Sequence, residues 1–253
     1  MKPVRLRALS FNIHGALGRD GRRDLGRIID IIRHLEADIV ALQEVDSRSG
    51  PHSAAEQARL IEEGTGLRAV AGPTLLESER HYGNLLLVRP PLLEVGRIDL
   101  SQPGREPRGA IDVRLRTPAG ALRVVATHLG LRLSERHRQV GLLLDRLRDE
   151  SGPLLLMGDF NEWLPGLGVI PRIHQQFPRS KSPATFPAQR PLLTLDRIFG
   201  RPSGLIESLE TPDEDAELLL ASDHRPLLAG LRMGMHDVPK QRGQRNGNET
   251  QSR

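Results

Sequence analysis

Residues 154–163, LLLMGDFNEW, pass within a few positions from four consecutive apolar residues to Asp159 and Asn161. A short apolar run of this kind is typical of a strand covered on both faces, although a segment of buried helix has the same composition. Because an ionised carboxylate is costly to bury without a partner, Asp159 should face a cation or hydrogen-bond donors. If the pattern recurs along the chain, the ends of these runs would define one polar edge of a folded sheet.

Apolar runs that end in a residue with ligand, acid–base or amide chemistry do recur along the chain. Each has a structural explanation when taken singly, since an asparagine forms turns, a glutamate can pair with a helix dipole and a histidine can be a hydrogen-bonded interior residue. Taken together, the runs predict strand ends that converge on one polar pocket. The residues at these ends are Asn12, Glu44, His128, Asp159, Asn161, Asp196, Asp223 and His224.

Periodicity places the runs in a chain in which helices fall between strands, which predicts an α/β fold with much antiparallel pairing. Strands are predicted over residues 5–12, 37–45, 83–95 with a break at the two prolines, 153–161, 192–199 and 222–233, and a hairpin over 110–128 turns at TPAG. Three helices are predicted. The first covers residues 23–35, and the second extends from a capping box of Ser53 and Glu56 to about Gly64. The third begins at a cap at Ser134, and its inner face carries Val140, Leu143, Leu144 and Leu147.

No linker divides the chain before its C-terminal end, so one domain is predicted over residues 1–233. The remaining residues, 234–253, hold almost no apolar side chains and are predicted to form a disordered polar tail. The segment between Trp163 and Pro191 is rich in proline and glycine and lacks a convincing period. Long segments of this kind are commonly functional loops or disordered, and this one is expected to set specificity.

Composition excludes several classes of protein. The 253 residues contain no cysteine, which removes disulfides and thiolate metal sites and is compatible with a reducing compartment. The N-terminal residues lack the apolar core of a signal peptide, and no run reaches the roughly 18 apolar residues of a membrane span. We therefore expect a soluble, cytoplasmic protein without a transmembrane segment, and a monomer.

The net charge of +4 comes almost entirely from arginine, because lysine occurs only at positions 2, 181 and 240. Arginine suits phosphate chemistry, since its planar guanidinium matches phosphate oxygens, but a codon bias of the genome produces the same composition. The last twenty residues carry four basic and two acidic groups, and thus half of the net charge. The charge does not by itself predict a nucleic-acid partner.

The chemistry of the polar run ends favours a hard divalent cation. Carboxylate and amide oxygens in the absence of cysteine suit Mg²⁺ or Mn²⁺ better than zinc. A histidine-rich zinc site is the alternative, but no pair of histidines falls at ligand spacing on a predicted helix. A metal, a carboxylate base and an imidazole that holds a proton near neutral pH together suit the hydrolysis of an anionic phosphoester.

Motifs spread over nearly the whole body resemble a known family when they are taken in chain order. They are LSFNIHG, ADIVALQEVD, YGNLLLVRPPL, ATHLG, LMGDFN, LDRIF and SDHRPLLA, and they extend from about residue 5 to residue 232. Any one motif is weak, but the ordered set resembles the endonuclease/exonuclease/phosphatase superfamily, the DNase I-like metallohydrolases. The resemblance implies a four-layer α/β/β/α sandwich, with two largely antiparallel sheets packed face to face between outer helices and the site at one end.

The resemblance also implies a metal side of the site. Glu44 would be the principal ligand of Mg²⁺ or Mn²⁺, and Asn12 would hold metal or phosphate beside it. Asp223 would be a second carboxylate on the metal side. Mg²⁺ commonly uses one or two protein carboxylates, which leaves the other acids free to act as bases.

The remaining run ends correspond to catalytic positions of the family. Asp159 would orient or deprotonate the attacking water, and Asn161 would bind a phosphate oxygen; we expect a sharp turn at Gly158 to present both on one side. His224 would stabilise charge on the transferred phosphoryl group while Asp196 holds its ring. The resemblance places His128 where it contacts phosphate or assists the leaving group.

Asn84, in YGNLLL, and Arg108, in EPRGAID, are second-rank candidates for substrate binding. An arginine near a phosphate site is chemically reasonable, but a surface arginine before a strand fits the sequence equally well. Three further histidines are interpreted as bystanders: His14, His81 and His137. Three arginines are interpreted as a solvated helix face rather than a substrate surface: Arg132, Arg136 and Arg138.

Three functions remain open at this point. They are a nuclease acting on DNA or RNA, a phosphoesterase acting on a phospholipid or a small phosphoester, and a non-catalytic phosphate- or nucleic-acid-binding module on the same fold. Seven aromatic residues supply few stacking platforms for single strands, and the modest charge argues against a long phosphate track. The favoured function is Mg²⁺-dependent hydrolysis of a phosphodiester by in-line attack of water.

Overall fold

The computed structural model describes residues 3–46, 54–77, 80–164, 166–212 and 215–234. Within these ranges the strands are β1 (Val4–Asn12), β2 (Ile39–Asp46), β3 (Arg68–Glu77), β4 (Arg80–Val88), β5 (Leu92–Asp99), β6 (Gly109–Thr117), β7 (Gly120–His128), β8 (Leu154–Asp159), β9 (Asp196–Arg201), β10 (Ile206–Glu210) and β11 (Leu227–Met233). The helices are α1 (Leu25–His34), α2 (Ala54–Thr65), α3 (Leu133–Leu147), α4 (Ile170–Ile173) and α5 (Ala216–Ala221), and a 3₁₀ turn covers His14–Ala16.

The strands form two mixed sheets. Sheet one has six strands in the order β10–β11–β1–β2–β4–β3, and sheet two has five in the order β5–β6–β7–β8–β9. The pairs β1–β2 and β7–β8 run parallel, and the other neighbouring pairs of these strands are antiparallel. The predicted α/β class with much antiparallel pairing is confirmed.

Three apolar cores define four layers. The central core lies between the sheets and includes Ala41 of sheet one and Met157 of sheet two. A second core packs α1 and α2 on the outer face of sheet one, and Ile32 is one of its buried residues. A third core packs α3 and α4 on the outer face of sheet two, with Leu143 and Phe199 fully buried. The α/β/β/α sandwich that the resemblance implied is therefore confirmed.

Helix α1 shows how local sequence produces one of these layers. Asp24 is its N-cap, and its carboxylate accepts a hydrogen bond from the backbone N–H of Arg27 at 2.9 Å. Ile28, Ile31 and Ile32 follow at helical spacing, and all three are buried against sheet one. Capping and apolar spacing agree, so this helix was predictable from the sequence.

The segment predicted as one broken strand over residues 83–95 is two strands in different sheets. β4 ends at Val88 in sheet one, and β5 starts at Leu92 in sheet two. The two prolines between them cannot donate hydrogen bonds to a ladder, so the chain leaves the first sheet there. The break was predicted, and the change of sheet was not.

The predicted cap of α3 is wrong. The helix begins at Leu133, so Ser134 lies inside its first turn, and no side chain accepts a capping hydrogen bond at Arg132. The inner face is as predicted, because the apolar residues at its helical spacing are buried. Ser53, the other predicted cap, lies outside the described residues.

Four elements were not predicted: β3, β10, α4 and α5. The apolar run before Asp223 was interpreted as the end of a strand, and that interpretation is wrong because the run is helix α5. Its signal was Asp215, whose carboxylate accepts from the backbone N–H of Leu218 at 2.7 Å as an N-cap. Short apolar runs do not separate strand from buried helix, and here the capping aspartate decides.

The structure tests two expectations about the whole chain only in part: the absence of a membrane span and the division into a domain and a tail. No helix in the described ranges is long and apolar enough to cross a membrane. Residues 235–253, nearly all of the predicted tail, lie outside the described residues. The division into a domain over 1–233 and a disordered tail over 234–253 stays a prediction.

Candidate active site

Register places three of the predicted residues side by side at one edge of sheet two. In the parallel pair β7–β8, His128 is the partner of Asp159, and in the antiparallel pair β8–β9, Asp159 is the partner of Asp196. Directly paired residues project to the same face of a sheet, so the three side chains lie together. Asp196 begins its strand, and it reaches this edge because β9 runs antiparallel to β8.

Sheet one brings Asn12 and Glu44 to the same edge. Asn12 pairs with Gln43 at the ends of the parallel strands β1 and β2, so Glu44 follows directly. The pairing of β2 with β4 shifts register between Leu42 and Val45, and Glu44 has a φ of 55°. A bulge re-aims a side chain, and the left-handed conformation costs about 1–3 kcal/mol that the surrounding sheet must supply.

Asn12 joins the two sheets at this edge. Its Nδ2 donates to Glu44 Oε1 at 2.9 Å and to Asp159 Oδ2 at 3.1 Å. Its Oδ1 accepts from the backbone N–H of His14 at 3.1 Å, which turns the amide nitrogen toward the carboxylates. Asn12 therefore holds two carboxylates in place as a donor, and its role as a ligand of metal or phosphate stays a prediction.

Donors surround the buried carboxylate of Asp159, as its burial requires. Oδ1 accepts from the backbone N–H of Asn161 at 2.8 Å. Oδ2, which Asn12 also reaches, lies 3.6 Å from His128 Nε2 and 3.9 Å from His224 Nε2. Asp159, the carboxylate of LLLMGDFNEW, is thus the centre of a cluster whose other members are Asn12, Glu44, His128, Asn161, Asp196 and His224.

Asp196 and His224 form a buried ion pair. His224 Nδ1 lies 2.8 Å from Asp196 Oδ2, and the two side chains are almost completely buried. Burial by itself lowers the pKa of the imidazole, but the charge and hydrogen bond of Asp196, with the charges of Asp159 and Asp223, raise it to about 10. His224 is therefore protonated at neutral pH, with Nε2 directed toward Asp159.

His128 has the opposite protonation state. Burial lowers the pKa of its imidazole to about 3; Asp159 raises it, while Arg108 and His224 lower it further. Its Nε2 lies 3.0 Å from Asn161 Nδ2, and its Nδ1 lies 3.4 Å from Arg108 Nη1. One site thus holds a neutral and a charged imidazole on either side of one carboxylate, an arrangement that separates acid from base roles.

Asp223 and His224 lie on a loop between α5 and β11. Ser222 fixes this loop, because its hydroxyl donates to the carbonyl of Asn12 at 2.7 Å and accepts from the backbone N–H of His224 at 3.2 Å. Asp223 is half-exposed at the rim, with Oδ1 3.7 Å from His14 Nδ1. Ser222 was not predicted to position the loop. His14, interpreted as a bystander, borders the site through Asp223.

Gly158 does not make the predicted turn. It lies inside β8, paired with Thr127 and Arg197, with a φ of 144°. A Cβ at this position would lie 1.8 Å from the carbonyl oxygen of Thr127, so only glycine permits this approach of β7 and β8. The chain turns after the strand instead, where Asn161 has a φ of 49°.

Of the second-rank candidates Asn84 and Arg108, only Arg108 contacts a residue of the cluster, His128. Asn84 Nδ2 donates to the carbonyl of Gly109 at 3.2 Å and thereby links β4 of sheet one to β6 of sheet two. Arg108 is buried, with Nη1 3.0 Å from Glu106 Oε1 in addition to its contact with His128. The alternative that Arg108 is a surface arginine is wrong, and substrate binding by either residue stays a prediction.

The interpretation of three arginines as a solvated helix face is wrong for one of them. Arg132 and Arg138 are exposed, but Arg136 is fully buried. Its Nη2 lies 3.3 Å from Glu162 Oε1, and its guanidinium lies 4.7 Å from the centre of the Trp163 ring. The signal was available, because Arg136 lies four residues before the inward-facing Val140 on the same helix face. Of the histidines interpreted as bystanders, His137 lies on α3, and the side chain of His81 falls outside the described part of the chain.

Glu162 organises the loop that follows β8, and nothing in the sequence singled it out. Besides Arg136, its two carboxylate oxygens accept from the backbone N–H groups of Leu164 and Val169, each at 2.8 Å. A Cβ on Gly168 would lie 1.8 Å from Glu162 Oε2, so a larger residue there would have to displace the carboxylate. The loop beside the site is thus wrapped around one buried carboxylate.

Replacing Glu162 by alanine is expected to destabilise the protein by about 3–5 kcal/mol, because it leaves the buried Arg136 charge unpaired. Urea unfolding followed by circular dichroism measures this difference. The matched control is Glu63→Ala, which breaks the exposed pair with Arg59 and should cost less than about 1 kcal/mol. A loss in Glu162→Ala no larger than in the control would contradict the role of the buried pair.

Two places at this edge are candidates to hold a cation: the group of Asp159, Asp196 and His224, and the carboxylate of Glu44. Ligand atoms of Asp159, Asp196 and His224 all lie within 4.8 Å of one another. His224 Nδ1 is already hydrogen-bonded to Asp196, and a protonated imidazole has no lone pair for a metal, so this group is better suited to hold a proton. Glu44 is the other candidate, since burial raises the pKa of its carboxyl even though the hydrogen bond from Asn12 lowers it.

The donor set fits a hard divalent cation. The chain has no cysteine, and the side chains at this edge offer carboxylate oxygens. A raised pKa means that the charge of Glu44 is incompletely compensated by its neighbours, which a cation beside it would correct. Asp196 Oδ1 is likewise buried with no hydrogen-bond partner among the described residues. The residues present therefore fit Mg²⁺ or Mn²⁺.

A family model matches most of the chain. The model is described as the Endonuclease/Exonuclease/phosphatase family, and it matches residues 9–224, which include every residue of the cluster. Among curated proteins, YbhP of Escherichia coli strain K12, an uncharacterized protein, is 31% identical over 245 residues. The match covers 90% of this chain and 96% of YbhP.

Solved structures share the fold. An endonuclease/exonuclease/phosphatase from Beutenbergia cavernae superposes with a TM-score of 0.74 at 23% identity, covering 91% of this chain and 72% of that protein. An endonuclease/exonuclease/phosphatase from Bacteroides vulgatus superposes with a TM-score of 0.73 at 22% identity, covering 91% and 100%. At these identities the likeness shows the fold alone.

Proposed function

The chain belongs to the Endonuclease/Exonuclease/phosphatase family, and on this basis we propose that it hydrolyses a phosphodiester by in-line attack of water, with Mg²⁺ or Mn²⁺ as cofactor. Proteins of this family generally act as hydrolases of phosphoester bonds. The observation that carries the proposal is the buried Asp196–His224 pair, which directs a protonated imidazole toward Asp159. The protonated imidazole of His224 is a fixed positive charge, and Asp159 beside it can accept a proton. This pair is suited to catalysis as well as to binding.

Asp159 is the proposed acceptor of the proton from the attacking water. Its Oδ1 is fixed by the backbone N–H of Asn161, and its Oδ2 is fixed by Asn12 Nδ2. A carboxylate held in this way can orient a water molecule without first reorganising.

His224 is the proposed stabiliser of charge on the phosphoryl group. In-line attack on phosphorus builds negative charge on the equatorial oxygens, and a pre-positioned cation is worth more there than in the ground state. Asp196 keeps the ring protonated and oriented, and Ser222 holds the backbone of the loop. His224 therefore needs no proton from solvent at neutral pH.

Asn161 and His128 form the proposed floor of the phosphate site. Asn161 Nδ2 donates to the carbonyl of Leu129 at 3.0 Å and lies 3.0 Å from His128 Nε2, so a phosphate oxygen would replace the imidazole as the second acceptor of the amide. Arg108, behind the ring, adds a positive charge without facing the cluster directly. The amide of Asn161 and the charge of Arg108 thus act on the anion from the side of sheet two.

Glu44 is the proposed ligand of the divalent cation. Asn12 fixes its carboxylate on the side of sheet one, and Asp223 at the rim is the proposed second acidic group. When bound, Mg²⁺ or Mn²⁺ supplies charge neutralisation and Lewis acidity at the phosphoryl oxygens. The candidate substrates are nucleic acid, phospholipid and a small phosphoester.

A hydrolysis screen tests the proposal. Bis(p-nitrophenyl) phosphate, DNA, RNA and phospholipid vesicles would each be incubated with Mg²⁺, with Mn²⁺ and with excess EDTA. We expect product from at least one diester with metal, and at least about 10²-fold less with EDTA. Asp159→Asn is the control for a contaminating hydrolase and should lose the activity.

Two outcomes would contradict the proposal in different ways. Equal hydrolysis in EDTA would remove the cation from the reaction. Tight binding of a substrate with no hydrolysis under any condition would instead favour the non-catalytic binding module.

A further inference from the structure

A cavity of about 450 Å³ lies beside the candidate active site and has no part in the proposed reaction. Its lining includes Glu162 and Arg197, which directly follow Asn161 and Asp196 of the cluster in sequence. Successive residues of a strand point to opposite faces, so Arg197 lies on the outer face of sheet two, directly behind the edge that carries Asp196. The cavity lies toward the outer helices, since Ile170 at the start of α4 also lines it.

One short hairpin separates the cavity from the cluster. Phe186 and Leu193 exchange backbone hydrogen bonds, from Phe186 N to Leu193 O at 3.1 Å and from Leu193 N to Phe186 O at 2.8 Å. Leu193 lines the cavity, whereas the ring of Phe186 lies 5.0 Å from the ring of His224. A ligand that crosses this hairpin would reach both places.

Arg197 is an uncompensated cation in the wall of this cavity. Its side chain makes no ion pair or hydrogen bond within the part of the chain that the structure describes, and its Nε is buried without a partner. Burial lowers the pKa of its guanidinium, while the charges of Glu162 and Asp196 raise it. A guanidinium in this state would be stabilised by a bound anion.

The acidic group of the lining does not neutralise Arg197. Glu162 uses both carboxylate oxygens on Arg136 and on backbone N–H groups of its own loop. Arg179 also lines the cavity and is exposed, which adds a second positive charge. The cavity therefore carries an excess of positive charge that the described residues leave unpaired.

Apolar side chains stand at the mouth of the cavity. Trp163 is 42% exposed and Leu192 is 79% exposed, and both line it. Arg136 covers one face of the Trp163 ring, at 4.7 Å from its centre, so the ring is held in place and its exposed part can pack against a ligand. A ligand that carries both a negative charge and an apolar body would pair with the cations and cover these apolar side chains.

We propose that this cavity is a substrate subsite for a second phosphate. It fits a small phosphoester that carries, beyond the ester that is hydrolysed, a further phosphate held by Arg197 and an aromatic or apolar body that packs on Trp163 and Leu192. The inference rests on the proposed function, because it places this second phosphate across the hairpin from the proposed site of hydrolysis. Arg197 is then the residue that selects doubly phosphorylated substrates.

Binding can be tested without turnover, because Trp163 is the only tryptophan of the chain and lines the cavity. Trp163 fluorescence would be titrated in EDTA with thymidine 3′,5′-bisphosphate and with thymidine 5′-phosphate, which lacks only the second phosphate. We expect the bisphosphate to change the emission and to bind about 10- to 100-fold more tightly than the monophosphate, as for a charge-assisted contact. Arg197→Gln should abolish this difference, and Arg138→Gln, which removes an exposed arginine of α3, should preserve it.

Hydrolysis provides the second test. The p-nitrophenyl ester of thymidine 5′-phosphate would be compared with the same ester carrying a 3′-phosphate, with Mg²⁺ present. We expect about 10- to 100-fold higher kcat/KM for the 3′-phosphorylated ester, through KM, and Arg197→Gln should remove the advantage without slowing the simple ester. Thermal melting of both variants checks that each is folded.

The outcomes separate this inference from the proposed function. Equal kcat/KM for the two esters in the unmodified protein, or bisphosphate binding that Arg197→Gln does not weaken, would overturn the subsite while leaving the hydrolase intact. Hydrolysis of neither ester, with Arg197-dependent binding retained, would overturn the proposed function and with it the substrate role, and would leave an anion-binding cavity.

Discussion

Replacing His224 by alanine is expected to lower kcat on a phosphodiester about 10³-fold and to leave KM nearly unchanged. The imidazolium is held 2.8 Å from Asp196 and faces the place where charge develops on the phosphoryl group. Interactions that strengthen in the transition state act on kcat, whereas interactions present throughout binding act on KM. Steady-state kinetics with a chromogenic diester measure the two separately.

The pair relation between His224 and Asp196 gives a sharper test than either substitution alone. Asp196→Asn should also lower kcat severely, because the ring loses the charge that holds its proton. Since the two act as one unit, the double variant should lose much less than the product of the single losses. His137→Ala on α3 is the matched control and should retain activity. Losses that multiply would show that the residues act independently, and a normal kcat in His224→Ala would remove the histidine from the mechanism.

The same pair predicts a pH dependence. Burial alone would lower the pKa of His224, but its acidic neighbours raise it to about 10, so activity should fall as the pH rises through about 10. The raised pKa also contributes stability that is complete below the ordinary value of 6.5 and is lost as the pH rises through about 10. Asp196→Asn removes the largest positive contribution while burial remains, so the alkaline limb of activity should move to lower pH.

The polar edge was predictable because buried strands appear in the sequence as apolar runs, and the polar residues at their ends can be identified directly. The apolar run before Asp159 reports a covered strand, and a carboxylate at its end must have partners, which the structure supplies as Asn12, Asn161 and two imidazoles. Parallel pairing brings the carboxyl ends of β1 and β2, and of β7 and β8, to one edge, and so groups Asn12, His128 and Asp159. The fold class and the membership of the cluster could therefore be inferred before any coordinates.

Other features depend on contacts that no local pattern encodes. The bulge that aims Glu44 requires the register of β2 against β4, and Gly158 is needed only because β7 approaches β8 closely at that point. The Arg136–Glu162 pair joins residues on a helix and on a loop that follows a different strand. Helical spacing could have shown Arg136 to be inward-facing, but its partner could not be identified from spacing. Asp223 and His224 reach the edge from a loop after helix α5. The sequence placed them at this edge as well, but as the end of a predicted strand.

Excess EDTA or the substitution Glu44→Gln is expected to lower kcat/KM on a diester by about 10³-fold, since a Lewis acid contributes several kcal/mol to the stabilisation of phosphoryl charge. Turnover alone would not separate a lost ligand from a lost base. Mg²⁺ should therefore raise the melting temperature of the unmodified protein and leave that of Glu44→Gln unchanged, because binding to the folded state stabilises it by mass action. Glu63→Gln, on the exposed face of α2, is the matched control and should behave as the unmodified protein.

Without metal, the variant should be the more stable of the two proteins. Burial raises the pKa of Glu44, so the folded state is favoured at low pH and loses that advantage as the pH rises from the ordinary value of 4.5 through the raised one. At neutral pH the charged form is a cost to the fold, and glutamine removes it while keeping a side chain that can contact Asn12. A thermal melt in EDTA should therefore rank Glu44→Gln above the unmodified protein at pH 7 and bring the two together at acid pH. A variant that melts lower at pH 7 would show that the charged carboxylate is not a cost to the fold. An Mg²⁺ shift that survives the substitution would show that the cation is held elsewhere, with the Asp159, Asp196 and His224 group as the remaining candidate.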